Sequence, residues 1–196
     1  MSDAESRDAG WRVARVVSIA LHPFAVLVAV SLLAAWRLDP ESLPRTAIGI
    51  AAAVGVVWAF VLQRRRAGHW QTVDASRRGE RPLLYLLALM VAAAYWWWMG
   101  GRASATSAGI LAAIAMLCVA GLANRWIKLS LHMASLAFAG VALLALVPPV
   151  GTSALLLLPL LGWARLRMAR HTWPEVVGGA ALGLASGALL RLLAHG

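Results

Sequence analysis

Cysteine, charge and polar surface are all scarce in this chain, and each shortage removes a class of protein. Cys118 is the single cysteine, so neither an intramolecular disulfide nor a cysteine-based metal site can form. Charged residues make up 13% of the 196 residues and hydrophobic ones 61%, which leaves too little polar surface to cover a water-soluble globule of this size. No long internal repeat and no low-complexity domain is visible. The few charges fall in clusters. Between them lie uncharged stretches that reach the roughly 17 to 25 residues read as membrane spans.

These apolar segments run from about Val17 to Trp36, Thr46 to Gln63, Leu83 to Met99, Ala103 to Ala123, Leu131 to Val147, Thr152 to Trp163 and Pro174 to Leu193. Their apolar residues lie all round the helix instead of in one stripe, as expected for helices that face lipid on one side and neighbours on the other. The fold class expected is therefore all-α: a polytopic transmembrane helical bundle of about seven spans, with six as the alternative. Residues 1–16 read as an N-terminal cytoplasmic leader and 17–193 as one transmembrane domain. The first segment is too long for a signal peptide and lacks a small-residue cleavage site, so it reads as a retained span. Pro148-Pro149-Val150-Gly151 reads as a tight turn and His22-Pro23 as a helix start. Tyr95-Trp96-Trp97-Trp98 suits an interfacial aromatic belt, and Gly179, Gly183 and Gly187 recur every fourth residue as a helix-packing face.

Lysine and arginine together number 18, against 8 acidic residues. With seven spans, 14 of the 18 fall on the face that holds the N-terminus, and Arg37, Arg45, Arg102 and Arg191 fall on the other. Excess Lys and Arg marks the cytoplasmic side. The bias survives removal of Arg77, Arg78, Arg81, Lys128 and Arg165, which a phosphate site would also gather. The expected localisation is a multi-pass protein of a bacterial cytoplasmic membrane. The net charge of +10 is then a topology signal that also attracts anionic lipid headgroups, and nucleic acid is not an expected partner. Arg64 to Arg66, Arg167 and Arg170 read as cytoplasmic anchors, and His69 and His195 as interfacial side chains.

Three polar clusters remain, separated by two apolar hairpins that return them to one face. They are Asp74-Ala-Ser-Arg77-Arg78-Gly-Glu80-Arg81-Pro82, Lys128-Leu129-Ser130-Leu131-His132-Met133, and Ala164-Arg165 with His171 and Glu175 following. Taken together, residues 74–82, 128–132 and 164–175 resemble the type 2 phosphatidic acid phosphatase superfamily. Its pattern is a Lys with Arg-Pro seven residues on, then Pro-Ser-Gly-His, then Ser-Arg, five residues, His, three residues, Asp. Arg81-Pro82, Ser130-Leu131-His132 and Arg165 to His171 to Glu175 match that pattern, with Glu in place of Asp. The departures are Asp74 at the Lys position, Leu129 and Leu131 at the Pro and Gly of the second motif, and Ala164 at the Ser of the third. The superfamily usually carries its motifs on the external face of six spans. Seven spans would invert that arrangement.

The resemblance implies a lipid phosphatase working through a covalent phosphohistidine on His171. His132 would be the general acid, and Arg81 and Arg165 the main phosphate ligands. Lys128 and Ser130 would add donors, and Arg78 would replace the missing Lys. The chemistry suits these residue types: arginine forks match phosphate oxygens two at a time, and a histidine nitrogen can displace an alcohol that water attacks poorly beside lipid. Glu175 could accept a hydrogen bond from the other ring nitrogen of His171 and fix its tautomer. The scheme needs no metal and no cofactor. The expected substrate is a lipid or polyprenyl mono- or diphosphate, and oligomeric state stays open. Two other readings compete. A noncatalytic lipid-phosphate binder or translocator would keep the anion pocket, as Asp74, Leu131 and Ala164 favour. A vanadate-dependent peroxidase shares the anion site, but this apolar chain lacks the soluble helical shell expected there.

Overall fold

The structure is a computed structural model describing residues 8–68 and 81–195, with side chains at 8–68 and 82–193. Its elements among these residues are helices: α1 (Ala9–Ala20), α2 (Pro23–Leu38), α3 (Leu43–Arg66), α4 (Arg81–Trp98), α5 (Ser107–Ala123), α6 (Leu131–Leu146), α7 (Pro148–Leu156), α8 (Leu158–Arg167) and α9 (Trp173–His195), with two single 3₁₀ turns. They group into seven apolar segments. Ala9–Leu38, Pro40–Arg66, Pro148–Arg167 and Trp173–Leu193 are long and apolar enough to cross a membrane, and Pro82–Trp98, Ser107–Ala123 and Leu131–Leu146 are shorter. The chain is an all-α membrane protein.

The first segment is longer than the sequence suggested, and it is broken. Pro23 has no N–H, so it serves at the first position of α2 while α1 ends before it. His22 caps α2 by accepting the Phe24 N–H at Nδ1, 3.3 Å away. The expected leader is partly helical as well. α1 is capped by Asp8, whose Oδ1 accepts the Trp11 N–H at 2.8 Å, and it packs along α8 with Ala14 and Ser18 buried. The cap bond and then the Arg167 guanidinium hold the Asp8 carboxyl below the usual carboxylate range.

The sixth segment begins earlier than expected. The chain reverses at Val147, and Pro148 and Pro149 open α7, so Pro148 to Gly151 form a first helical turn instead of a non-helical one. The tight return depends on Gly151: a Cβ there would lie 2.5 Å from the Leu144 nitrogen and 2.8 Å from the Gly140 oxygen.

Helix α6 is the centre of the bundle, with every residue from His132 to Gly140 buried. In lipid there is little hydrophobic drive between helices, so close van der Waals packing of small residues carries association. The α6 and α9 contact is built that way. A Cβ at Gly179 would fall 2.5 Å from the Ser130 oxygen, and one at Gly187 would fall 2.7 Å from the Val141 Cβ. Gly183 sits as closely over the Ala134 carbonyl.

At the end of the bundle away from the polar clusters, Trp98 Nε1 donates to the Arg45 carbonyl at 3.0 Å, and Trp96 Nε1 donates to Ser107 Oγ at 2.8 Å. The Arg37 and Arg45 guanidinium groups stack over Trp36 and Trp98. Aromatics and cations thus meet as an interfacial belt requires.

Candidate functional site

The third cluster owes its shape to how α8 ends and α9 begins. Ala169 adopts φ +52°, and behind it the Arg170 N–H bonds the Arg165 carbonyl at 3.1 Å while the Ala169 N–H bonds Leu166 at 2.9 Å. This pair of bonds is a Schellman turn, with alanine in the left-handed position that usually holds glycine. Thr172 then caps α9, and Glu175 reaches back so that its Oε2 accepts the Thr172 N–H at 3.1 Å. The same oxygen lies 3.0 Å from His171 Nδ1. The carboxylate can only accept, so Nδ1 carries the proton and Nε2 is the basic nitrogen. The six-residue spacing from Arg165 to His171 is one helix stop followed by one helix start.

The second cluster lies against the third. The Ser130 N–H donates to the Glu175 carbonyl at 3.0 Å, and Lys128 Nζ donates to the Arg170 carbonyl at 2.9 Å. The Lys128 ammonium thus braces the turn that presents His171. His132, in the first turn of α6, has Arg165, His22 and His171 as its charged and titratable neighbours. Ser130 Oγ and His132 Nε2 are buried and have no hydrogen-bond partner among the described residues. A buried hydroxyl and a buried imidazole nitrogen each keep hydrogen-bonding capacity that a bound oxyanion could use.

Arg165 is 4% exposed and His171 7%, so the cation and the imidazole face the protein interior. Arg165 Nη1 donates to Ser18 Oγ at 2.7 Å.

The first cluster is reached only in part. Asp74, Arg77 and Arg78 lie outside the described residues, and Arg81 is present through its backbone as the first residue of α4. That helix starts at the site's end of the bundle, because Leu84 and Leu87 pack in one apolar cluster with Phe24, two residues from His22.

Two contributors were not singled out for the site in the sequence: Ser18 and His22. The His22 ring lies edge-on to the His132 ring, with centroids 5.1 Å apart. The signal for His22 was an ionisable residue inside an apolar run. Ser18 gave none, since a serine in a membrane helix is ordinary.

The arrangement is a buried cluster of one guanidinium, two imidazoles and a hydroxyl at one end of a membrane helical bundle, a set of groups whose chemistry suits a phosphoryl group. No family model matches the chain, and no curated protein or solved structure matches it.

Proposed function

We propose that this protein is a membrane-embedded lipid phosphate phosphatase of the type 2 phosphatidic acid phosphatase kind, hydrolysing a lipid or polyprenyl mono- or diphosphate through a phosphohistidine. The observation that carries the reading is the convergence of His171, oriented by Glu175 at 3.0 Å, with Arg165 from the end of α8 and His132 from the start of α6.

Arg165 and Ser130 hold the phosphate oxygens, with Arg81 and Arg78 as the remaining cations. His171 Nε2 attacks phosphorus, the P–O bond to the lipid breaks, and His132 delivers a proton from Nε2 to the leaving oxygen. Neutral His132 then takes a proton from water, whose oxygen attacks phosphorus as the P–N bond breaks, releasing phosphate and restoring His171. Glu175 balances the positive charge that grows on the His171 ring. The lipid tail stays in the bilayer. The distribution of Lys and Arg supports a site on the cytoplasmic face.

The test is phosphate release by purified protein in detergent across lipid mono- and diphosphates. Wild-type protein should turn over at least one of them, and His171→Ala should abolish release. Turnover that persists in His171→Ala removes the nucleophile assignment.

A second reading, a binder or translocator without catalysis, draws on the engagement of Lys128 with the Arg170 carbonyl and on Ala164, which is buried and offers no hydroxyl. It expects saturable lipid phosphate binding without release, weakened by Arg165→Ala and unchanged by His171→Ala.

A further inference from the structure

We infer that Ser18 is a positioning residue of the candidate phosphate site, fixing Arg165 with its hydroxyl and His132 with its backbone carbonyl. The inference rests on the phosphatase reading for its kinetic consequence, but its geometry stands apart from that reading.

In an unbroken helix the Ser18 carbonyl would accept the His22 N–H. Here the chain turns at His22-Pro23, and the His22 N–H bonds the Ile19 carbonyl instead, at 3.2 Å. Leu21 bonds Val17 at 2.9 Å. The Ser18 carbonyl is therefore released from the helix ladder at the α1 C-terminus, where carbonyl groups need outside donors. His132 has the Ser18 backbone beside its ring and is the donor that fills that need. Nε2 of His132 has no partner among the described residues, so the bond is made by Nδ1, and a carbonyl partner means that Nδ1 carries the proton. Nε2 is then the nitrogen presented to the site. It is also the atom that must deliver and take back the proton in hydrolysis.

The hydroxyl of the same residue accepts from Arg165 Nη1 at 2.7 Å. Ser18, Arg165 and His132 are each less than a tenth exposed, so neither bond competes with bulk water. A guanidinium matches phosphate only when its plane is correctly set, and Ser18 sets it from a helix that carries none of the three sequence clusters. The edge-on His22 ring restricts His132 from the same break.

The experiment uses full-length protein in detergent, with Ser18→Ala, Ser18→Thr and wild type compared for lipid phosphate hydrolysis, and with ¹⁵N-histidine spectra recorded in parallel. The His132 signals are assigned by their absence from His132→Gln. We expect Ser18→Ala to lower kcat by about ten- to a hundredfold and Ser18→Thr, which keeps the hydroxyl, to recover it to within roughly threefold. His132 should show the Nδ1–H tautomer in its neutral form. Wild-type turnover by Ser18→Ala overturns the inference. Should the wild type release no phosphate from any lipid, the phosphatase reading fails by itself, and the spectrum decides: an Nδ1–H tautomer at His132 upholds the positioning role, and an Nε2–H tautomer overturns it.

Discussion

Glu175 Oε2 receives two hydrogen bonds that serve different ends, the Thr172 N–H of the α9 cap and the His171 ring. Glutamine at this position can still reach back to the cap N–H and still accept from the ring, so Glu175→Gln separates charge from structure. On the phosphatase reading it lowers kcat by about ten- to a hundredfold and leaves the thermal midpoint near that of wild type. Glu175→Ala removes the cap as well and costs about 1 kcal/mol of stability. If the glutamine variant hydrolyses lipid phosphate at the wild-type rate, Glu175 is a helix cap only. The His171 to Glu175 contact was legible in the sequence because four residues on or beside a helix start fix a distance locally. The Ser18 contact to Arg165 spans 147 positions, and no local periodicity encodes such a pair.

At the scale of the elements, two short features decide where the site residues stand. The Schellman turn at Ala169 sends the chain from α8 to His171, and alanine in the left-handed region is strained by contact of its Cβ with the following carbonyl. Ala169→Gly should therefore raise stability by about 0.5 to 1 kcal/mol, after allowing for the extra freedom glycine gives the unfolded chain. A higher thermal midpoint in detergent with unchanged turnover checks it, and a lower midpoint refutes the strain. The second feature is the glycine face of α9. Gly183→Ala places a Cβ against the Ala134 carbonyl, which is backbone and cannot step aside, so it should cost about 1 to 3 kcal/mol. Gly55→Ala, where nothing lies within 4 Å, should be neutral or stabilising by up to about 1 kcal/mol. Equal effects from the two substitutions would mean that α6 and α9 are not in close contact. The fourfold glycine spacing was readable from sequence because it matches the helical repeat. The break at His22-Pro23 was read as a helix start, but the helix in front of it was not, since Arg12 and Arg15 gave residues 9–16 the look of a polar leader.

For the whole molecule, the all-α membrane class followed from composition, and seven apolar segments follow one another as the hydropathy pattern implied. The shared end of the second and third clusters followed from an even number of crossings between them. Sequence pattern could not supply the tertiary partners that α1 brings to that end. Which side of the membrane the end faces depends on the charge distribution, and the structure sharpens how to measure it. Gly68 and Gly100 border the relevant loops, but with φ of +72° and +102° a cysteine at either would be strained. Ala67 and Ala103 are exposed neighbours without that penalty. In a Cys118→Ser background, needed because Cys118 is itself exposed, an impermeant maleimide applied to intact cells should label Ala103→Cys and spare Ala67→Cys. Both should react after the membrane is opened. Ala67 follows Arg64, Arg65 and Arg66 at the α3 end, whereas Ala103 lies beside Arg102 and the tryptophan belt. Labelling of Ala67→Cys in intact cells would reverse the orientation: on the phosphatase reading the site would then meet lipid phosphate in the outer leaflet, and the arginine excess would belong to the site instead of to topology.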